Sequence, residues 1–185
     1  GQNPRACLDL LAEPIFEIDP NSTGVTALDY MTYYYYGALA YTALHKWPEA
    51  TDFLNNVLVV PASAVSTVMI AAYKALLLVG TIATGTTAAL PANFTAGLEK
   101  VLKTSCTEYV ELAAAFEGGD AAKFQAAVDA GMPAFKADNN LGLVQQAVRA
   151  VKKQHIVRLT RIYVTLSIAQ IAQMVEMPVA EVSVL

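Results

Sequence analysis

Residues 26–61 read TALDYMTYYYYGALAYTALHKWPEATDFLNNVLVVP, and this stretch decides the fold. Tyr30, Tyr33, Gly37, Tyr41 and Leu44 fall at steps of three and four, which places them on one stripe of a helix that starts near Thr26. Proline suits the first turn of a helix, so Pro48 opens a second one, whose apolar stripe is Ala50, Phe53, Leu54, Val57 and Leu58. Pro61 closes it. The unit is a helical hairpin of roughly 34 residues, the repeat length of tetratricopeptide arrays. Gly37, Phe53 and Pro61 stand at the separations such repeats use for a close helix crossing, a packing aromatic and a terminating proline. Ala50 lies one place off the usual small residue. Tyr33 to Tyr36 sweep about 300° round a helix and cannot all face one neighbour. That helix is therefore expected to be covered on several sides, with the rings serving stacked-repeat packing and not an aromatic ligand cage.

The same period runs outward from this hairpin. Ser63 is expected to cap the next helix, with Val65, Val68, Met69, Ala72, Leu76 and Val79 on its stripe and Lys74 off it. Thr81 to Ala92 reads as a loop and Asn93 as the cap that follows. Leu98, Val101, Leu102, Tyr109, Leu112 and Phe116 continue the pattern, with a break near Ser105 and a stop at Gly118-Gly119. Asp120 caps a short helix bearing Phe124 and Val128, which Gly131 and Pro133 are expected to end.

The last quarter changes character. Leu141, Val144, Val148 and Val151 hold one stripe, the phase slips at Lys153-Gln154, and Ile156, Leu159, Ile162 and Tyr163 start another, so two helices are expected to meet there. Ile162 to Leu166 is β-branched and aromatic enough for a short strand. Ser167 and Gln170 form a capping box, with Leu166 and Ile171 as its hydrophobic staple. A short helix, a turn at Glu176 to Pro178 and the start of a further helix follow. That order is the opening of a winged helix whose two wing strands would come next. The expected fold is all-α: a right-handed array of tetratricopeptide-like hairpins over residues 1–137, running into an incomplete winged helix over 138–185.

Composition narrows the function classes. A chain of 185 residues can bury roughly 70% of its unfolded surface. With 55% apolar and only 15% charged residues, and a mean hydropathy of +0.41, some of its surface is expected to meet other chains. Ala75 to Leu98 carries no charge, but Gly80, Gly85 and Pro91 interrupt it, so it reads as core helix plus loop and no membrane partner is expected. No charged-then-apolar leader opens the sequence, so no signal peptide is expected. Cys7 and Cys106 lie far apart without metal spacing, which fits reduced thiols and a cytoplasmic and nuclear location. The sequons Asn21-Ser22-Thr23 and Asn93-Phe94-Thr95 are patterns too short to weigh.

No reaction chemistry stands out. His45 and His155 lie in different elements, so no zinc site, cofactor or catalytic residue is expected, and His45 beside Trp47 reads as capping or packing. Gly118-Gly119 lacks the lysine and the preceding strand of a phosphate loop, so no small-molecule substrate is expected either. A net charge of −4 argues against nucleic acid as main partner. The basic run Arg149, Lys152, Lys153, Arg158 and Arg161 therefore reads as a solvated or acid-paired face, with Glu108, Glu111, Glu117 and Asp120 as candidate counter-charges.

Five stretches carry a resemblance: Tyr33-Tyr34-Tyr35-Tyr36-Gly37; Ala72-Tyr73-Lys74; Asp138-Asn139-Asn140-Leu141-Gly142-Leu143-Val144; Ile156-Val157-Arg158-Leu159-Thr160; and Leu166-Ser167-Ile168-Ala169-Gln170-Ile171-Ala172. On these the chain resembles the family of third subunits of the COP9 signalosome, whose members carry a PCI (proteasome, COP9, initiation factor 3) module. The resemblance implies a non-catalytic scaffold in a complex that removes a ubiquitin-like modifier from cullins, with other PCI subunits of that complex as partners. It also implies assembly through winged-helix strand edges, since an unpaired edge is a template for a partner strand. Tyr163, Thr165, Leu166, Arg158 and Lys153 are the interface candidates that follow. The wing and the C-terminal helix of the family are absent from this sequence, and the turn at Glu176 to Pro178 is short. The rivals are a proteasome-lid or initiation-factor PCI subunit, which Asp138 to Val144 fits less well, and a nucleic-acid-binding winged helix.

Overall fold

The computed structural model describes Leu11 and residues 24–61, 64–87, 89–91 and 96–162, with backbone alone at 155 and 158–162. Thr26 starts the first described hairpin. Its hydroxyl accepts the Asp29 amide at 3.2 Å while the Asp29 carboxylate accepts the Thr26 amide at 2.9 Å. This reciprocal capping box opens α1 (Ala27–Ala43). A short turn leads to α2 (Trp47–Val59), with Pro48 in its first turn. Val60, at ψ 123°, takes the extended backbone that a following proline demands, and α2 ends there. The all-helical character read from the sequence holds throughout, and no strand occurs among the described residues.

Next comes α3 (Thr67–Ala83), the hub of the molecule, which touches α1, α2, α4, α5 and α7. Met69, Ala72, Tyr73 and every residue from Ala75 to Thr81 are buried. A helix enclosed this way must be apolar all round, which is why this stretch carries no charge. The hydroxyl of the enclosed Thr81 donates to the Leu78 carbonyl at 2.8 Å, so it is not buried unmet.

The chain then forms α4 (Ala96–Ser105), α5 (Thr107–Gly118), α6 (Ala121–Ala137) and α7 (Leu141–Ile162). The break between α4 and α5 falls at Cys106, one residue from the expected place. Gly119, at φ +68°, closes α5, and the Asp120 carboxylate caps α6 by accepting the Ala122 and Lys123 amides. Both α5 and α7 lie against α3, and α6 bridges α5 and α7.

Several expectations need correction. The cap of α3 is Ser66, whose hydroxyl accepts the Met69 amide at 3.2 Å; Ser63 and Asn93 lie outside the described residues. The buried rung of α1 runs through Met31, Tyr34, Gly37, Ala38 and Tyr41, so Tyr30 and Tyr33 flank the stripe instead of forming it. Gly131 and Pro133 do not end α6. Pro133 is exposed, so water can satisfy the carbonyl whose amide partner it lacks. Gly131 is needed by its own helix: a Cβ there would lie 2.6 Å from Cε2 of the buried Phe135 ring. Nor do two helices meet at Lys153-Gln154, because α7 runs through unbroken. Val151 and Ile156, five residues and about 140° apart, are both buried. The slip in apolar phase marks a change of buried face and no change of element. The strand, capping box and winged helix expected beyond Ile162 lie outside the described residues.

The ends of α1 and α6 are built alike. After α1, the amide of His45 donates to the Thr42 carbonyl and that of Lys46 to the Tyr41 carbonyl. After α6, Asn139 donates to Lys136 and Asn140 to Phe135 in the same spacing. His45 and Asn139 both sit at φ +57°. Each is a Schellman turn, in which a left-handed residue lets two orphan carbonyls find amides.

Candidate functional site

Lys74 on α3 and Asp138 after α6, 64 positions apart, meet in an ion pair of 2.7 Å. The same carboxylate oxygen accepts the Tyr109 hydroxyl of α5 at 2.8 Å, and the Asn140 amide donates to the Tyr109 oxygen at 3.0 Å. The Lys74 ammonium also stands 5.4 Å above the Tyr109 ring. Four side chains thus tie α3 and α5 to the turn that launches α7. Burial pushes the Tyr109 phenol well above the usual range, and its bond to Asp138 adds to the shift. At working pH the phenol is a neutral donor, as a carboxylate partner requires.

Beside this node Cys106 is fully buried, and burial pushes its thiol up to about 11. Its Sγ lies 3.9 Å from the Ile70 carbonyl. A thiol so placed is a small packing group with little thiolate to react. Burial likewise pushes the Tyr73 phenol, on α3, up to about 12. The node combines a partly shielded ion pair with a buried phenol, and a buried thiol lies beside it, an arrangement that ties three segments of the chain together.

Between α1 and α3 runs a groove of about 270 Å³ lined by Thr32, Tyr35, Tyr36, Thr67, Val68 and Ala71. The four tyrosines divide as their spacing requires. Tyr34 is buried 4.5 Å from the Tyr30 ring centroid and 5.0 Å from that of Phe53, Tyr33 is half-buried against Phe53, and Tyr35 edges the groove. Tyr36 is 64% exposed.

Gly37 lies under the Phe53 ring, where a Cβ would come within 2.6 Å of two ring carbons. Phe53 itself is gripped by Tyr34 and Tyr41, each with its centroid 5.0 Å away. Pro61 follows the last turn of α2. Lys153 is exposed on α7; the side chain of Arg158, and Tyr163, Thr165, Leu166, Ser167 and Gln170 entirely, lie outside the described residues. His45 is exposed with its ring edge-on to Trp47 at 5.2 Å. Among the described residues no cluster of His, Cys, Asp and Glu could hold a metal ion, and no helix is long and apolar enough to cross a membrane.

Reading the residues one by one missed Lys74, Tyr109, Asp138 and Asn140 as a unit, since a polar cluster drawn from three elements leaves no period in the sequence. A signal did exist: two of the stretches that carried the resemblance, Ala72-Tyr73-Lys74 and Asp138 to Val144, are joined in space by this node.

Comparison with known proteins agrees with this architecture. The family described as COP9 signalosome complex subunit 3, N-terminal helical repeats, matches residues 1–96, which include all of α1, α2 and α3. Over 174 residues, 94% of this chain, the sequence is 30% identical to COP9 signalosome complex subunit 3 of Dictyostelium discoideum and covers 42% of that protein. It is 34% identical over 174 residues to COP9 signalosome complex subunit 3 of Arabidopsis thaliana, covering 39% of it. The chain spans about two fifths of the length of these curated relatives. With its helical hairpins stacked on one enclosed helix and this match across them, the chain belongs to the COP9 signalosome complex subunit 3 family.

Proposed function

We propose that this chain is a non-catalytic scaffold segment of a COP9 signalosome, which supports cullin deneddylation by holding other subunits in place. The observation that carries the reading is the family match over the helical repeats, together with 30–34% identity to named third subunits over 94% of the chain. The node supports it as well, since its ionisable groups lock helices to one another. Partners are other PCI subunits, met in part through Tyr163, Thr165, Leu166, Arg158 and Lys153, and the protein works in cytoplasm and nucleus. Affinity purification of the tagged full-length protein, followed by mass spectrometry and fractionation, tests this. Co-isolation with the deneddylase and its PCI subunits from both compartments is the expected result. Recovery with the proteasome lid or an initiation factor, and without the deneddylase, would refute it.

A further inference from the structure

Charge is distributed very unevenly over this molecule. The 22 residues of α7 include Arg149, Lys152, Lys153, Arg158 and Arg161 and no Asp or Glu, in a chain of net charge −4. The remainder therefore carries −9.

Four of the six lysines outside α7 have an acidic partner close by, and Lys100 and Lys136 have none among the described residues. Lys46 reaches Glu49, Lys103 reaches Glu99, Lys123 reaches Asp120 and Lys74 reaches Asp138. None of the ion pairs among the described residues involves Arg149, Lys152 or Lys153. The counter-charges expected from the sequence do not reach them: Asp120 is held by its own helix start and Lys123, Glu117 accepts the Thr87 amide, and Glu108 and Glu111 stand exposed on α5 without an ion pair among the described residues. The helix supplies no internal compensation either, since positions three and four residues from each cation hold no acid.

Gln145, Arg149, Lys153 and Val157 follow one another at steps of four, so they share one flank of α7. Gln145, Arg149 and Lys153 are exposed, Lys152 is half-exposed beside them, and Val157 is 41% exposed at the end of the row. We propose that this flank, carried by Arg149, Lys152 and Lys153, docks an acidic amphipathic segment of a partner protein. A carboxylate-bearing helix or strand meets the cations, and its apolar positions meet Val157 and the aliphatic stems of the lysines. A nucleic acid fits less well. Its extended polyanion would feel the −9 of the remaining molecule and has no use for an apolar contact beside the cations. The inference stands on charge and exposure alone, so it holds or fails whichever complex the chain joins.

The experiment is a titration of the full chain at low salt with three labelled probes: a glutamate-rich peptide with interspersed leucines, the same peptide with glutamine for glutamate, and a DNA duplex. The glutamate peptide is expected to bind most tightly and to weaken as salt rises. The triple variant Arg149→Gln, Lys152→Gln, Lys153→Gln is expected to lose about tenfold in affinity, with an unchanged melting temperature because these side chains face water. Single Lys153→Gln gives a smaller loss that is readable should the triple variant fold poorly. Changing Lys100 and Lys136, exposed on α4 and α6, leaves binding unaltered. Absence of peptide binding at low salt, equal binding by wild type and both α7 variants, an equal loss from the Lys100 and Lys136 control, or tighter binding of the duplex than of the peptide would each overturn the proposal.

Discussion

The turns after α1 and α6 share a backbone and differ in what holds them. Both are Schellman turns with a left-handed residue at φ +57°, and in both the carbonyl of a buried aromatic, Tyr41 or Phe135, accepts the last amide. After α1 the adhesive is aromatic. Phe53 sits over Gly37 between Tyr34 and Tyr41, His45 meets Trp47, and the Lys46 ammonium stands 5.8 Å over the Tyr41 ring. After α6 it is polar: Asp138 and Asn140 reach Tyr109 and Lys74, and Phe135 is the main ring, edge-on to Tyr109 at 4.9 Å. One backbone device therefore accepts two chemistries. A helix end needs its carbonyls met and a bulky group at its base, and how it is glued to its neighbours is a separate choice.

The largest effects come from disturbing the packed ring on either side. Phe135→Ala opens a cavity in a fully buried site and is expected to cost about 3–5 kcal/mol in denaturant unfolding. Gly37→Leu overfills the other junction and should cost about 1–3 kcal/mol, because Phe53 is held by two rings and has nowhere to go. Equal, negligible losses at both sites would mean that neither ring is a keystone.

Alkali should separate the two regions next. Cys106 and Tyr73 ionise near 9.0 and 10.0 when unfolded, but burial raises them to about 11 and about 12 in the folded chain. A raised folded value means that their contribution is whole below pH 9.0 and is lost as pH climbs through 11 and 12. Stability is expected to be flat up to about pH 9.0 and to fall from there as pH approaches 11, by on the order of 2 kcal/mol for the thiol step alone, with the melting temperature following it down. Cys106→Ala removes that first step; the same alkaline fall in this variant would contradict the assignment.

Smaller terms sharpen the contrast. A double-mutant cycle with Lys74→Met and Asp138→Asn is expected to give a coupling of about 1 kcal/mol, since the pair is partly shielded from water yet not enclosed. His45→Gly should stabilise by about 0.5 kcal/mol, the relief of left-handed strain exceeding the lost contact with Trp47. Asn139→Gly should change little, because asparagine already tolerates that conformation. A larger gain at Asn139 than at His45 would reverse the expected order.

Much of the aromatic junction was legible in the sequence because its determinants are local. Thr26, Pro48 and Pro61 punctuate the hairpin, and the steps of three and four name its stripe to within one position. The polar junction was not, because Lys74, Tyr109 and Asp138 are brought together only by the packing of α3 against α5 and of α6 against α5. Local rules also misread α6 and α7. Pro133 ends a helix only where its missing hydrogen bond goes unmet, and at an exposed position water meets it. The phase slip near Lys153 was a helix burying two faces, which a one-stripe template cannot represent.

Underneath both junctions lies α3, which touches α1 and α2 at the first and α5 and α7 at the second, so that one core cluster serves both. Trp47, the single tryptophan, sits at the first junction, and Cys106 is buried beside the second. Denaturant unfolding followed by Trp47 fluorescence and by pulsed alkylation of Cys106, read by peptide mass, reports on both at once. Coincident midpoints are the predicted result; Cys106 becoming reactive at a denaturant concentration where Trp47 is still folded, or the reverse, would contradict a single stack built on α3.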